Sequence, residues 1–105
     1  MLPWKSLSAS LQVGVLTEGW NLAKPSTDGA DEARVFRYTV YFATPFDSPP
    51  VVHLGLTGFD LDQRDSNRLS LHATDITTES FVAEISTWRE TRVYSVGFSW
   101  LAVGA

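Results

Sequence analysis

The side chains best suited to bind a ligand lie around Trp88, on a strand face that is otherwise polar. From residue 81 to residue 88 the chain alternates as a half-buried strand does, which places Trp88 on the same face as Glu84 and Ser86. Arginines and Tyr94 follow directly. A large amphipathic ring that shares a strand face with polar side chains, and is followed by arginines and a tyrosine, is typical of a binding platform. The alternative is an aromatic side chain that is buried at the end of the strand.

Two further segments carry polar side chains of the type that binds sugars. The long loop contains Asp28, Gly29 and Asp31, and Arg68 stands at the start of a predicted strand. An aromatic face packs against the C–H patch of a pyranose, while carboxylate and arginine groups hydrogen-bond its hydroxyls. The alternative is that Asp31 and Arg68 are surface charges and that Gly29 only permits a positive φ after Asp28.

The acidic loop 60–67 does not fit the other chemistries that its carboxylates suggest. Counted from Asp60, the positions at which an EF-hand requires glycine and glutamate hold other residues, so a calcium site is disfavoured. A glycosidase pair of Asp60 and Asp62 would need one carboxyl of raised pKa in a cleft, whereas this loop is polar and open. His53 and His72 stand alone, and the chain has no nucleophile elbow or phosphate loop. We therefore expect no catalysis, no metal and no cofactor.

Length and charge limit the possible architectures and partners. The 105 residues, 44% of them apolar, suffice for one domain over 1–105, with residues 1–9 as a candidate N-terminal extension. Twelve acidic and eight basic residues give a net charge of −4, which disfavours nucleic acid and anionic membranes as partners. The chain has no cysteine, so its stability must come from packing. For a domain of this size, subunit contacts are an expected part of that stability.

The first residues indicate where the chain is made. Residues 1–8 lack the apolar core of a signal peptide, and no apolar run approaches the length of a membrane span. We expect the chain to be cytoplasmic as synthesised and not inserted into a membrane. Later release, or incorporation into a larger particle, stays open.

Alternating apolar residues predict six strands and no long helix. The short links between them exclude a parallel sheet, so the expected fold is all-β, a six-stranded antiparallel β-sandwich. The predicted strands are 10–16, 35–42, 51–58, 68–74, 81–88 and 94–102.

Two details of the strand pattern bear on the core and on the candidate site. In the third strand Val52, Leu54 and Leu56 form the expected inner set. In the sixth strand Tyr94 has the parity of Val96, which predicts that part of its ring is buried.

As a combined pattern, these residues resemble the H-type lectin domain, a family that includes snail agglutinins and the carboxy-terminal domains of slime-mould discoidins. The resemblance runs from about Leu11 onward and is strongest over 40–102. The segments that carry it are Tyr41-Phe42-Ala43-Thr44-Pro45-Phe46, Pro49-Pro50-Val51-Val52, Asn67-Arg68, Thr78-Glu79-Ser80-Phe81, Thr87-Trp88, Thr91, Val93-Tyr94-Ser95 and Ser99-Trp100.

The resemblance implies a trimer, in some members stacked into hexamers, that binds terminal galactose-type sugars, typically N-acetylgalactosamine, without a metal. It places each sugar between neighbouring protomers, so Trp88 is expected to be exposed in one protomer and partly covered in the trimer. Asp31 and Arg68 would bond the sugar hydroxyls, and Trp88 and Tyr94 would shape the pocket. The implied sugar-binding residues are Gly29, Asp31, Arg68, Trp88, Arg89 and Tyr94.

Two departures from the family pattern affect the expected function. Snail members carry a histidine where this chain has Arg89, which leaves the preference for N-acetylgalactosamine open, and their disulfides are absent here. The sequence thus predicts a multivalent carbohydrate-binding protein without catalysis. The alternative is a structural or adhesion trimer that keeps the fold and has lost sugar binding.

Overall fold

Two three-stranded antiparallel sheets form the sandwich, with strand orders β1-β6-β3 and β2-β5-β4. This confirms the predicted all-β, six-stranded architecture. The computed structural model describes residues 4–24, 32–64 and 66–105. No helix in these ranges is long and apolar enough to cross a membrane. The strands are β1 Lys5–Gly14, β2 Arg34–Tyr41, β3 Val51–Leu61, β4 Ser70–Thr74, β5 Ser80–Thr87 and β6 Val93–Gly104.

The core lies between the two central strands, because β5 turns one complete parity of side chains inward and β6 does so from Val96 onward. Phe81 and Ile85 on β5, and Phe98 on β6, have no exposed surface. The ring of Trp100 packs against Phe81 with a centroid separation of 5.5 Å. Fully burying a side chain of this size contributes about 1.5–3 kcal/mol, so the alternation that predicted these strands also reflects what holds the sheets together.

Strand β1 differs from its prediction at both ends. It begins at Lys5 rather than at Ser10, since residues 5–9 pair with β6 from Gly104 onward. The Lys5 ammonium bonds the carbonyl of Pro45, which fixes this end of the strand. At the other end the strand stops at Gly14 instead of residue 16, so Val15 lies beyond it and is 56% exposed.

A bulge in β3 explains why Leu56 is not a core residue. The register changes from Leu56 opposite Phe98 to Gly58 opposite Gly97, which leaves Thr57 as the extra residue. Strand β3 is also an edge strand of its sheet. Leu56 is 46% exposed, so its predicted inner position is wrong, while Val52 and Leu54 pack against the core as expected.

A second bulge places Tyr94 at the surface of the sandwich. Ser95 pairs with Asp60 and Val93 pairs with Leu61, so Tyr94 is the unpaired residue of β6. The bulge reverses the parity of the strand, and Val93 and Val96 are therefore both fully buried. Tyr94 is half-buried, which agrees with the predicted partial burial of its ring, but the bulge and not an inner parity places it there.

Gly14 allows β1 to approach this second bulge closely, and Gly14→Ala tests the approach. A Cβ at Gly14 would collide with the carbonyl oxygen of Tyr94 and would lie 2.9 Å from the Cβ of Ser95. We expect Gly14→Ala to lower the free energy of unfolding by about 1–3 kcal/mol, measured by urea denaturation, because the strands must separate. Gly58→Ala is the matched control, since a Cβ at Gly58 meets nothing within 4 Å. Equal stability of the two variants would contradict the close approach.

Candidate functional site

The buried polar side chains of the described residues are gathered at one end of the sandwich. They are Arg34, Thr87 and Thr91, with exposures of 8%, 0% and 0%. Arg34 opens β2 and pairs with Thr87, the last residue of β5, and Thr91 lies in the turn between β5 and β6. The sequence-predicted residues Trp88 and Arg89 belong to the same turn.

Arg34 binds two chain segments through four backbone carbonyls. One terminal nitrogen, Nη1, donates to the carbonyls of Leu22 at 3.3 Å and of Lys24. The other, Nη2, donates to the carbonyls of Arg89 at 3.0 Å and of Thr91. Arg34 therefore joins the segment that precedes β2 to the β5–β6 turn.

The charge of Arg34 is held without a carboxylate partner among the described residues. Burial lowers the pKa of its guanidinium, and the nearby positive charge of Arg92 lowers it further. Arginine nevertheless stays protonated in proteins, so the positive charge is stabilised by the carbonyl dipoles. The Nε atom of Arg34 has no hydrogen-bond partner in the described part of the chain.

The two buried threonines hold the predicted sugar-binding residue Arg68. The side chain of Thr91 accepts a hydrogen bond from Nη1 of Arg68 at 3.0 Å and donates to the carbonyl of Ser66 at 2.6 Å. The side chain of Thr87 donates to the backbone carbonyl of Arg68. Both the backbone and the guanidinium of Arg68 are thus oriented from inside the protein.

The turn residues Trp88 and Arg89 combine exposure with backbone strain. Trp88 follows the buried Thr87 and lies on the outer parity, as predicted, but it is half-buried rather than exposed in the single chain. Arg89 is exposed and has a φ of 58°, a left-handed conformation that is uncommon for residues other than glycine, asparagine and aspartate. Such strain persists where the surroundings fix the backbone, and the bond from Arg34 to the Arg89 carbonyl does so here.

Tyr94 belongs to a second polar network. Its hydroxyl donates to Oδ2 of Asp62 at 3.0 Å, and the guanidinium of Arg64 binds both oxygens of the same carboxylate. The side-chain and backbone hydrogen bonds of Arg64 hold the pKa of Asp62 well below its usual range, with a smaller contribution from Tyr94. Asp62, Arg64, Glu90 and Arg92 line an open cavity of 320 Å³ beside it.

The structure thus groups some of the predicted site residues and separates others. Arg68 and Arg89 are both bonded to the network around Thr91, and Trp88 adjoins it. Tyr94 lies in the network of Asp62, which a backbone hydrogen bond of 3.0 Å connects to the β5–β6 turn at Arg92. The remaining two predicted residues, Gly29 and Asp31, fall outside the described residues.

The sequence interpretation missed Arg34 and the partners of Tyr94. A signal for Arg34 was present, since it has the parity of Phe36 and Val40 on the inner face of β2, where a charge is rare unless it is paired. Asp62 was considered only as a calcium or acid–base residue, and its contact with Tyr94 depends on the bulge.

Comparison with known proteins relates the chain to a known family. The model of the H-type lectin domain matches residues 37–103, a range that includes Arg68, Trp88, Arg89 and Tyr94. A protein of Fuscovulum blasticum described as "ATP synthase subunits region ORF 7" is 36% identical over 72 residues, which cover 69% of this chain and 63% of that protein.

Solved structures of discoidin II from Dictyostelium discoideum have the same fold. The wild-type structure superposes with a TM-score of 0.78 at 23% identity and covers 97% of this chain and 37% of that chain. A native structure of the recombinant protein gives a TM-score of 0.77 at 24% identity, over 95% and 36% of the two chains. The chain thus spans less than two thirds of the length of these relatives.

The role of Arg34 can be tested by Arg34→Met, which keeps much of the apolar stem and removes the charge. Four carbonyls would lose their donor, so we expect the free energy of unfolding to fall by about 2–4 kcal/mol in urea denaturation. Arg37→Met is the matched control, because Arg37 is exposed and forms a surface ion pair with Glu84, which contributes about 0–1 kcal/mol. If both variants lose the same small amount of unfolding free energy, Arg34 does not join the segment before β2 to the β5–β6 turn as the geometry indicates.

The strained backbone at Arg89 gives a second prediction. Arg89→Gly relieves about 1–2 kcal/mol of left-handed strain but adds about 0.5–1 kcal/mol of unfolded-chain entropy, so we expect stability to be unchanged or slightly raised. Glu90→Gly, one residue later and without a positive φ, should instead destabilise by about 0.5–1 kcal/mol. Thermal unfolding of the two variants measures the difference, and a clear loss of stability in Arg89→Gly would contradict the strain.

Proposed function

The chain belongs to the H-type lectin family, and from this premise we propose that it is a multivalent lectin for terminal galactose-type sugars, with N-acetylgalactosamine as the first candidate. The observation that supports the proposal most is the buried network in which Thr91 binds the guanidinium of Arg68 and Arg34 binds the carbonyl of Arg89, the residue after Trp88. All three residues lie within the matched range of the family.

The chemistry at this end of the sandwich suits a pyranose ring. The indole of Trp88 is large and only half-buried, and an aromatic face of this kind packs against the C–H patch of a sugar. Arg68 brings a planar set of N–H donors, already oriented by Thr91, that matches neighbouring hydroxyl oxygens. Because Thr91 and Thr87 hold Arg68 from inside, its conformational freedom is reduced before the sugar arrives.

The same geometry does not favour hydrolysis by the acidic loop. A glycosidase needs one carboxylic acid whose pKa is raised so that it can donate a proton. The pKa of Asp62 is shifted the opposite way by Arg64, and the carboxylate stays ionised. The proposal therefore contains sugar binding without catalysis.

We propose that the protein forms a homotrimer, with stacking into hexamers as a further step, and that the sugar sites lie between protomers. Large apolar residues on the outer face of the β1-β6-β3 sheet support a subunit contact, because they are exposed in the single chain: Val51 is 60% and Leu101 is 42% exposed. Open sugar sites bind weakly one at a time, and several identical sites on one oligomer supply avidity.

A glycan array with the wild-type protein and Trp88→Ala tests the proposed function. We expect wild type to bind glycans that end in galactose or N-acetylgalactosamine, and Trp88→Ala to lose at least about tenfold in affinity, or ~1.4 kcal/mol. Trp4→Ala is the matched control. Trp4 is 71% exposed and directly precedes Lys5, at the end of β1 that is farther from Tyr94. This variant should bind as wild type does.

Light scattering of the same samples measures their oligomeric state and helps to distinguish a lectin from a structural or adhesion module. A trimer that shows no sugar-dependent signal would overturn the lectin proposal and support the structural or adhesion module. A monomer that binds sugar would instead overturn the intersubunit site.

A further inference from the structure

Tyr94 has its only hydrogen-bond donor already engaged. Its hydroxyl lies 3.0 Å from Oδ2 of Asp62. A phenol has one O–H donor and two acceptor lone pairs. When the proton points at Asp62, the phenol oxygen can only accept hydrogen bonds from other groups, and the guanidinium of Arg64 already approaches it as one donor, which leaves one lone pair for a ligand.

The direction of this hydrogen bond follows from the state of the carboxylate. Arg64 donates to Asp62 through its backbone N–H at 2.9 Å and through Nε at 3.0 Å. These bonds keep the pKa of Asp62 well below its usual range, so the carboxylate has no proton to donate near neutral pH. The proton between Tyr94 and Asp62 must therefore belong to Tyr94.

The backbone supports the same arrangement from two sides. The bulge at Tyr94 takes its side chain out of the core, and Gly14 lets β1 lie against the bulged carbonyl. The backbone N–H of Asp62 donates to the carbonyl of Arg92 at 3.0 Å, which fixes the carboxylate relative to β6. The side chain of Asp62 is 13% exposed and lines the open cavity beside Tyr94.

We propose that Asp62 is a positioning residue that determines specificity by making Tyr94 a pure hydrogen-bond acceptor toward the bound sugar. The group that meets Tyr94 must then be a donor, namely a sugar hydroxyl or an amide N–H. A carboxylate, a sulfate ester or a carbonyl oxygen at that point finds lone pairs and no proton. This inference rests on the proposed function, because it requires Tyr94 to line the sugar site.

Analogues of methyl N-acetylgalactosaminide that lack one hydroxyl test the inference. In one series each hydroxyl is replaced by hydrogen, and in the other by fluorine, which cannot donate a hydrogen bond. At the position that meets Tyr94, we expect both replacements to weaken binding about tenfold in calorimetry, the effect of one hydrogen bond. In Tyr94→Phe this loss of affinity should disappear. The sugar hydroxyl for which it disappears is the one that meets Tyr94.

Asp62→Asn then changes the hydrogen-bond polarity while it keeps the shape of the side chain. The asparagine oxygen can remain with Arg64, and its amide can donate to Tyr94, which releases the phenol proton toward the sugar. We expect the fluorine penalty at that position to fall from about tenfold to below about threefold. Asp60→Asn is the matched control, since it makes the same charge change at an exposed residue of β3. It should keep the full penalty.

The outcomes separate this inference from the proposed function. If wild type binds the parent sugar and the fluorine analogue binds equally well at the position that depends on Tyr94, then Tyr94 donates and the inference is wrong. If no position depends on Tyr94, the inference is also wrong while the lectin proposal stands. Failure of wild type to bind any parent sugar overturns both. Should Asp62→Asn not fold, the comparison of wild type with Tyr94→Phe still decides the polarity of the phenol.

Discussion

A buried guanidinium that is held by backbone carbonyls is the interaction on which the functional end of this protein depends. Moving a charge out of water costs several kcal/mol even after relaxation, and each charge-assisted hydrogen bond returns about 1.5–3 kcal/mol. Arg34 recovers its cost only when both of its partner segments are in place, because two of its carbonyls come from Leu22 and Lys24 and two from Arg89 and Thr91. The two segments are therefore expected to order together, and Arg68 is oriented as a consequence through Thr91.

Hydrophobic alternation was sufficient to predict the central strands, since β5 buries one full parity against the opposite sheet and β6 does so from Val96 onward. The prediction stopped short in β1, although Leu7 and Ala9 continue the alternation of the predicted strand, and pairing with β6 extends β1 to Lys5. It failed for Leu56, because the pattern of one strand contains no information on a bulge or on the place of the strand at the edge of its sheet. Both of these features depend on pairing between distant segments, which local periodicity does not encode.

The candidate site was predictable in part, for the same physical reason. The resemblance predicted Arg68, Trp88 and Arg89 as site residues, and the structure bonds Arg68 to Thr91 in the turn that contains the other two. The inner parity of Arg34 was a signal in the sequence, since a charge on a core face requires a partner. The contact between Tyr94 and Asp62 was not predictable, because a bulge is a property of two paired strands and it reverses the parity from which the position of Tyr94 was inferred.

The site residues differ in how the fold holds them, and this difference determines which of them can vary. The fold binds Thr91 through both its side chain and its carbonyl, so a replacement there disturbs Arg34 and Arg68 together. Arg89 engages Arg34 through its backbone carbonyl, while its side chain is exposed. A different side chain at residue 89 leaves that backbone bond in place. A replacement at residue 89 therefore keeps the interaction that orders the turn, and under the proposed function it changes only the group that is offered to the ligand.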